Sequence, residues 1–142
     1  MTRIVALDYG SKRTGIAVTD EMQLIATPLT TIATKELMVF LKDYISKELV
    51  SCIVVGDPKT MANLPSQISN AVNQFVKLLI QNFPNIQIDR YDERFTSSMA
   101  LQSMIDNGIP KMKRRIKSDV DKVSATLILQ SYLENKKFKS GN

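Results

Sequence analysis

The chain has 142 residues, of which 44% are hydrophobic and 23% are charged, a composition typical of one globular domain and not of a disordered chain. It has no histidine and a single cysteine, which excludes histidine-based serine or cysteine catalysis, histidine-bound zinc and an internal disulfide. The net charge is +5, no signal peptide is recognisable, and no apolar run approaches the roughly 18 residues that cross a membrane. We therefore expect a cytoplasmic protein with no membrane partner.

The first part of the chain predicts three strands joined by short turns. Apolar runs indicate strands at residues 3–8, 15–19 and 24–32, and Pro28 inside the third run indicates an edge strand or a bulge. Because the links between these strands are short, we expect them to form an antiparallel meander.

Helices and strands alternate in the middle of the chain. Apolar residues at helical spacing predict helices over residues 37–45, with Thr34 as the N-cap, and over residues 68–79. A short apolar run at residues 53–56 and an alternating run at residues 86–91 predict two further strands.

The last part of the chain predicts a helix over residues 96–106, a basic loop over residues 108–118 and a final helix that ends near Asn135. We assign residues 1–138 to a single domain and residues 139–142 to a basic disordered tail. The element order predicts an α/β fold with a mixed five-stranded sheet. In it, the first three strands form an antiparallel meander, the fourth and fifth strands join it in parallel, and helices flank both faces.

Three carboxylates stand where ligands gather in such sheets. Asp8 ends the first strand, Glu93 follows the fifth strand, and Asp121 opens the last helix on one stripe with Ala125. Each also has an ordinary structural interpretation. Asp8 could cap a turn, Glu93 could belong to a charged turn, and Asp121 could complement the helix dipole. Asp119 competes with Asp121 for either role, the functional or the structural one.

Taken together, the three carboxylates predict a metal site. A cluster of oxygen ligands without histidine or cysteine selects a hard cation such as Mg²⁺ or Mn²⁺. Two such ions activate water and stabilise the leaving oxygen in phosphodiester hydrolysis. We therefore predict a metal-dependent nuclease in which Asp8, Glu93 and Asp121 are both catalytic and metal-binding.

The charge distribution agrees with a polyanionic substrate. Residues 1–106 carry 10 Lys/Arg and 11 Asp/Glu, whereas residues 107–142 carry 9 and 3. A basic final quarter is typical of a nucleic-acid binder, although a solvated lysine-rich surface would give the same count. The predicted nucleic-acid-binding residues are Lys12, Arg13, Lys59, Arg94, Lys111, Lys113, Arg114, Arg115 and Lys117.

Five segments of the chain resemble the YqgF family. They are residues 4–17, 54–56, 92–96, 121–125 and 128–133, which read IVALDYGSKRTGIA, VVG, DERFT, DKVSA and ILQSYL. Members of that family are described as Holliday junction resolvases or pre-16S ribosomal RNA nucleases. The resemblance covers nearly the whole chain.

The resemblance implies an RNase H-like fold and a nuclease that uses a divalent metal. Asp8, Glu93 and Asp121 match the acidic positions of the family. Residues 57–63 depart from the commoner family pattern, which bears on the substrate and not on the metal site.

Three functions remain open from the sequence. The leading hypothesis is processing of pre-16S ribosomal RNA in ribosome biogenesis, with the RNA and the ribosomal small subunit as partners. A Holliday junction resolvase acting on branched DNA would favour a homodimer over a monomer, and an RNA-binding assembly factor would need no catalysis. Asp8 and the glycines after it also resemble the phosphate loop of actin-like ATPases, but those enzymes need two lobes and this chain supplies one.

Overall fold

The computed structural model describes residues 2–57, 67–92 and 117–139. Its strands are β1 (Arg3–Tyr9), β2 (Arg13–Thr19), β3 (Ala26–Ala33), β4 (Val50–Asp57) and β5 (Gln87–Asp92). Its helices are α1 (Leu37–Lys47), which follows a 3₁₀ turn at Thr34–Glu36, α2 (Gln67–Asn82) and α3 (Lys117–Lys139). The predicted helix over residues 96–106 and residues 108–116 of the predicted basic loop lie outside the described residues.

The five strands form one mixed sheet in the order β3-β2-β1-β4-β5. The pairs β1–β2 and β2–β3 are antiparallel, whereas β1–β4 and β4–β5 are parallel. The predicted sheet is therefore confirmed. Because β1, β4 and β5 run in the same direction, their carboxyl ends meet at one edge of the sheet.

Helices cover both faces of this sheet. Ile4 and Ala6 of β1 pack in a cluster with residues of α3, whereas Val5 and Leu7 pack in a cluster with residues of α1 and α2. All four side chains are fully buried. A central parallel strand covered on both faces needs a continuous apolar run, which explains the sequence of β1.

The edge strand β3 begins two residues later than the sequence predicted. The carboxylate of Asp20 accepts hydrogen bonds from the backbone N–H groups of Met22, Leu24 and Ile25, so these amides are taken by a turn. Pairing with β2 therefore starts at Ala26. The expectation at Pro28 is confirmed, because the β2–β3 register shifts there and β3 lies at the sheet edge.

Two predicted helix boundaries also change. Thr34 is not the N-cap of α1. The helix begins at Leu37, Glu36 occupies the cap position without a side-chain cap bond, and the Thr34 hydroxyl is bonded elsewhere. The final helix extends to Lys139, beyond the expected end near Asn135. No helix in the described ranges is long and apolar enough to span a membrane.

Candidate active site

Asp8 is the penultimate residue of β1 and lies at the carboxyl edge of the sheet. It pairs with Gly15 of β2 and is half-buried. Because side chains alternate along a strand, Asp8 lies on the same face as Ile4 and Ala6, which is the face covered by α3. The structure therefore places Asp8 near the end of the first strand, as the sequence predicted, and on the face of the sheet that α3 covers.

The carboxyl end of β5 lies at the same edge. Leu7 pairs with Val55 of β4, and Val55 pairs in turn with Arg90 of β5, so these three residues share one row across the sheet. Asp8 is one residue beyond that row, and β5 continues two residues beyond it to Asp92. Glu93, which directly follows Asp92, lies outside the described residues.

Helix α3 crosses the sheet over β1, β2 and β3. Its buried stripe includes Ala125, Ile128 and Leu129, none of which exposes more than 1% of its surface. Asp121 belongs to the helix and precedes Ala125 by four residues, which is about one helical turn. The side chain of Asp121 lies outside what the structure describes.

The structure thus fixes one carboxylate of the predicted trio and the backbone of a second. Among the residues whose side chains the structure describes, no three Asp, Glu or Cys side chains form a group suited to a metal ion. Two of the three predicted ligands are outside that comparison. The shared site of Asp8, Glu93 and Asp121 therefore stays a prediction.

The hairpin tip after Asp8 consists of Gly10, Ser11 and Lys12, which join β1 to β2, and of Arg13, the first residue of β2. A Cβ atom on Gly10 would lie 2.4 Å from the carbonyl oxygen of Arg13, so the tight turn requires glycine. Lys12 is exposed and Arg13 is half-buried. Two of the predicted nucleic-acid-binding residues therefore lie at the end of the hairpin that carries Asp8.

The remaining predicted nucleic-acid-binding residues are not placed by the structure. Those outside the described residues are Lys59, Arg94, Lys111, Lys113, Arg114 and Arg115. Lys117 is the first residue of α3, and its side chain is likewise outside the description.

A polar cluster on the α3 face joins the helix to β5. The hydroxyl of Tyr132 donates to the Asp89 carboxylate, which also accepts a 2.7 Å hydrogen bond from Gln87. Burial and the hydrogen bond to Asp89 raise the pKa of the Tyr132 phenol. Cys52 lies 3.8 Å from both partners and is 4% exposed, so it packs in the core beside this cluster. The cluster fixes α3 against the sheet, and local sequence could not reveal it because its members are far apart in the chain.

Comparison with known proteins decides the family. The RuvX family, described as Holliday junction resolvase, matches residues 2–135 of the chain. The chain belongs to the RuvX family. The family is also called YqgF, so this match confirms the resemblance seen in the sequence. The matched residues include every segment on which that resemblance rested.

Curated relatives of this RuvX member align over almost their whole length. The chain is 54% identical over 133 residues to a protein of Christiangramia forsetii, covering 94% of this chain and 98% of the relative. A Flavobacterium psychrophilum protein is 53% identical over 136 residues, covering 96% and 99%. A Bacteroides thetaiotaomicron protein is 49% identical over 138 residues, covering 97% and 100%. All three are provisionally named pre-16S rRNA nuclease.

Two solved structures show weaker similarity. Archaeoglobus fulgidus Pelota has a TM-score of 0.45 at 17% identity, covering 86% of this chain and 33% of Pelota. Pseudomonas aeruginosa YeaZ has a TM-score of 0.46 at 14% identity, covering 76% and 50%.

Proposed function

We propose that the protein is a nuclease that hydrolyses phosphodiester bonds and that it processes pre-16S ribosomal RNA in the cytoplasm. Family membership supports action on nucleic acid, and the names of the relatives that align over nearly their whole length favour the RNA substrate. The observation that carries the proposal is the position of Asp8, a half-buried carboxylate at the sheet edge where β1, β4 and β5 end. The ribosomal small subunit is the partner that such a substrate implies.

The catalytic centre that we propose is formed by Asp8, Glu93 and Asp121. Strands β1 and β5 are separated only by β4, so their backbones lie two strand spacings apart, about 9–10 Å. Carboxylate side chains that extend toward each other from the ends of two such strands can bind the same metal ion across this gap. Glu93 is two residues beyond Tyr91, whose side chain packs in the α3 cluster with Ala125.

The donor chemistry of this trio fits Mg²⁺ or Mn²⁺. All three groups are carboxylates, and the chain has no histidine that would favour zinc. When bound, the metal supplies an activated water and stabilises the leaving oxygen. The protein contributes rigid placement, since Asp8 is held in a paired strand and α3 is packed firmly on the sheet.

Substrate binding falls to the basic residues around this edge. Lys12 and Arg13 of the hairpin tip are nearest in sequence to Asp8, and we propose that they contact backbone phosphates. Such contacts offset the repulsion between an acidic centre and a polyanion. The basic segment from Lys111 to Lys117 supplies further positive charge.

The test is cleavage of an end-labelled pre-16S RNA fragment by the purified protein with Mg²⁺ or Mn²⁺. We expect the wild type to cleave the RNA. Asp8→Asn, which preserves the shape of the side chain, should lower kcat by about 100-fold or more, because a metal contributes several kcal/mol. The matched control is Asp43→Asn, which removes an exposed carboxylate of α1 that pairs with Lys47, and it should cleave at the wild-type rate. Full activity of a folded Asp8→Asn variant would refute the proposed centre.

The description of the family favours a second substrate, the Holliday junction. The same preparations should therefore be tested on an immobile four-way DNA junction, with the oligomeric state measured in parallel. Paired cuts made by a homodimer would favour the resolvase. If the protein is instead an RNA-binding assembly factor, Asp8→Asn should retain both RNA binding and cellular function.

A further inference from the structure

Thr34 contacts the hairpin tip from outside the hairpin. It is the first residue after β3, and its backbone N–H donates to the carbonyl oxygen of Lys12 at 2.9 Å. Its hydroxyl donates to the carbonyl oxygen of Gly10 at 2.6 Å and lies 2.9 Å from the hydroxyl of Thr14. A hydroxyl has one proton, and that of Thr34 is used by Gly10, so the Thr14 hydroxyl is the donor in the second contact.

The two hydroxyl bonds run in one direction, from Thr14 to Thr34 and from Thr34 to Gly10 in the hairpin tip. Thr14 is fully buried and belongs to β2, in register with Tyr9 as the last β1–β2 pair. Beyond that pair, Thr34 holds two carbonyl groups of the tip, those of Gly10 and Lys12. Lys12 is followed by Arg13, which pairs with Ala33 of β3.

We propose that Thr34 is a positioning residue for nucleic acid, because it holds the hairpin tip so that Lys12 meets a backbone phosphate beside Asp8. The inference rests on the proposed function, since it takes the substrate to be a polyanion bound at this edge. A tip that is ordered before binding loses little conformational entropy when a phosphate docks. Without the Thr34 hydroxyl, the Gly10 carbonyl loses its hydrogen bond. The same contact would then have to order that side of the tip first.

Affinity for RNA in metal-free buffer separates positioning from catalysis. The probe is a fluorescein-labelled single-stranded RNA, and Kd is measured by anisotropy over a range of salt concentrations. The logarithm of the binding constant falls as the logarithm of the salt concentration rises. Lys12→Ala should make this slope less negative by roughly 0.7, the value for one phosphate contact on a single strand. Thr34→Val keeps the side-chain shape but lacks the hydroxyl, so it breaks the hydrogen bonds with Gly10 and Thr14. It should raise Kd roughly five- to tenfold, because the free energy of about one such bond is then needed to order the tip during binding.

Two further variants test the role of the hydroxyl itself. Thr34→Ser keeps the hydroxyl and should remain within about twofold of the wild-type Kd, since it preserves the hydrogen bond. Thr27→Val is the matched control, because Thr27 is an exposed threonine of the same strand β3. It should leave Kd unchanged.

The decisive measurement is the double variant of Thr34→Val and Lys12→Ala. If Thr34 acts through Lys12, the double variant should bind RNA as Lys12→Ala does, because nothing remains to be positioned. Equal weakening by Thr34→Val in both backgrounds would overturn the proposal, as would an unchanged Kd in Thr34→Val. If Thr34→Val does not fold, the other two variants still test the proposal. An unchanged salt slope in Lys12→Ala would overturn it. A less negative slope in Lys12→Ala, together with wild-type affinity in Thr34→Ser, would support it.

These outcomes are separable from those of the proposed function. A protein that binds RNA with the predicted coupling but cleaves no substrate would refute the nuclease and retain the role of Thr34. A protein that cleaves RNA without coupling between Thr34 and Lys12 would refute the positioning role alone.

Discussion

The most direct test of the hairpin geometry is Gly10→Ala. The added Cβ would lie 2.4 Å from the carbonyl oxygen of Arg13, about 1 Å inside ordinary van der Waals contact. Arg13 is held by its pairing with Ala33, so the obstacle is backbone and cannot rotate away. Opening the tip costs roughly 1–3 kcal/mol as overpacking, and it strains the hydrogen bond from Thr34 to Gly10, which contributes about 1 kcal/mol.

A loss of about 2–3 kcal/mol corresponds to a definite change in Tm. At about 2.1 cal/mol/K per residue, a chain of 142 residues has an unfolding entropy near 0.3 kcal/mol/K, so Tm should fall by roughly 7–10 °C. Differential scanning calorimetry measures this directly. Ser11→Ala, at the exposed neighbouring position, is the control and should melt within about 2 °C of the wild type. A Gly10→Ala variant that melts within the same margin would show that the turn is not as tight as described.

Two further substitutions test the packing of α3. Ala125→Leu places a large side chain at a fully buried alanine that packs in one cluster with residues of the sheet, so urea unfolding should show a loss of about 1–3 kcal/mol. An unchanged midpoint would contradict the close packing of helix and sheet. Tyr132→Phe removes the hydrogen bond to Asp89 and should cost about 1 kcal/mol at pH 7. Because burial and Asp89 raise the pKa of Tyr132 in the folded state, wild-type stability is complete below the unfolded-state pKa near 10 and falls above it. From about pH 10 upward, the free energy of unfolding should therefore fall less steeply with pH in Tyr132→Phe than in the wild type. Parallel curves for the two proteins would contradict a raised pKa of Tyr132.

The architecture could be predicted because the buried positions of strands and helices are apolar and recur at regular spacing along the sequence. The unbroken apolar run of β1 follows from cover on both faces, and the alternation in β5 follows from partial cover. The position of Asp8 was predictable for a related reason. A carboxylate that directly follows a buried apolar run has to lie near the end of the strand that the run forms.

Contacts between distant segments left no such pattern. Thr34 looked like a helix cap because a threonine before an apolar periodic segment usually is one. Its hydroxyl instead bonds to Gly10, 24 residues earlier, and no local rule foretells that partner. Leu24 and Ile25 looked like strand residues because they are apolar, yet the carboxylate of Asp20 captures their amides. In each case a polar side chain competed successfully for backbone groups that the periodic pattern had assigned to regular structure.

The measurement that tests the central claim most directly is a crystal structure of the protein soaked in Mn²⁺, with the ions located by anomalous scattering. The account predicts one or two ions at the carboxyl edge of the sheet, with Asp8, Glu93 and Asp121 all contributing oxygen ligands. Ions bound elsewhere, or carboxylates of this trio that do not share a metal site, would contradict it.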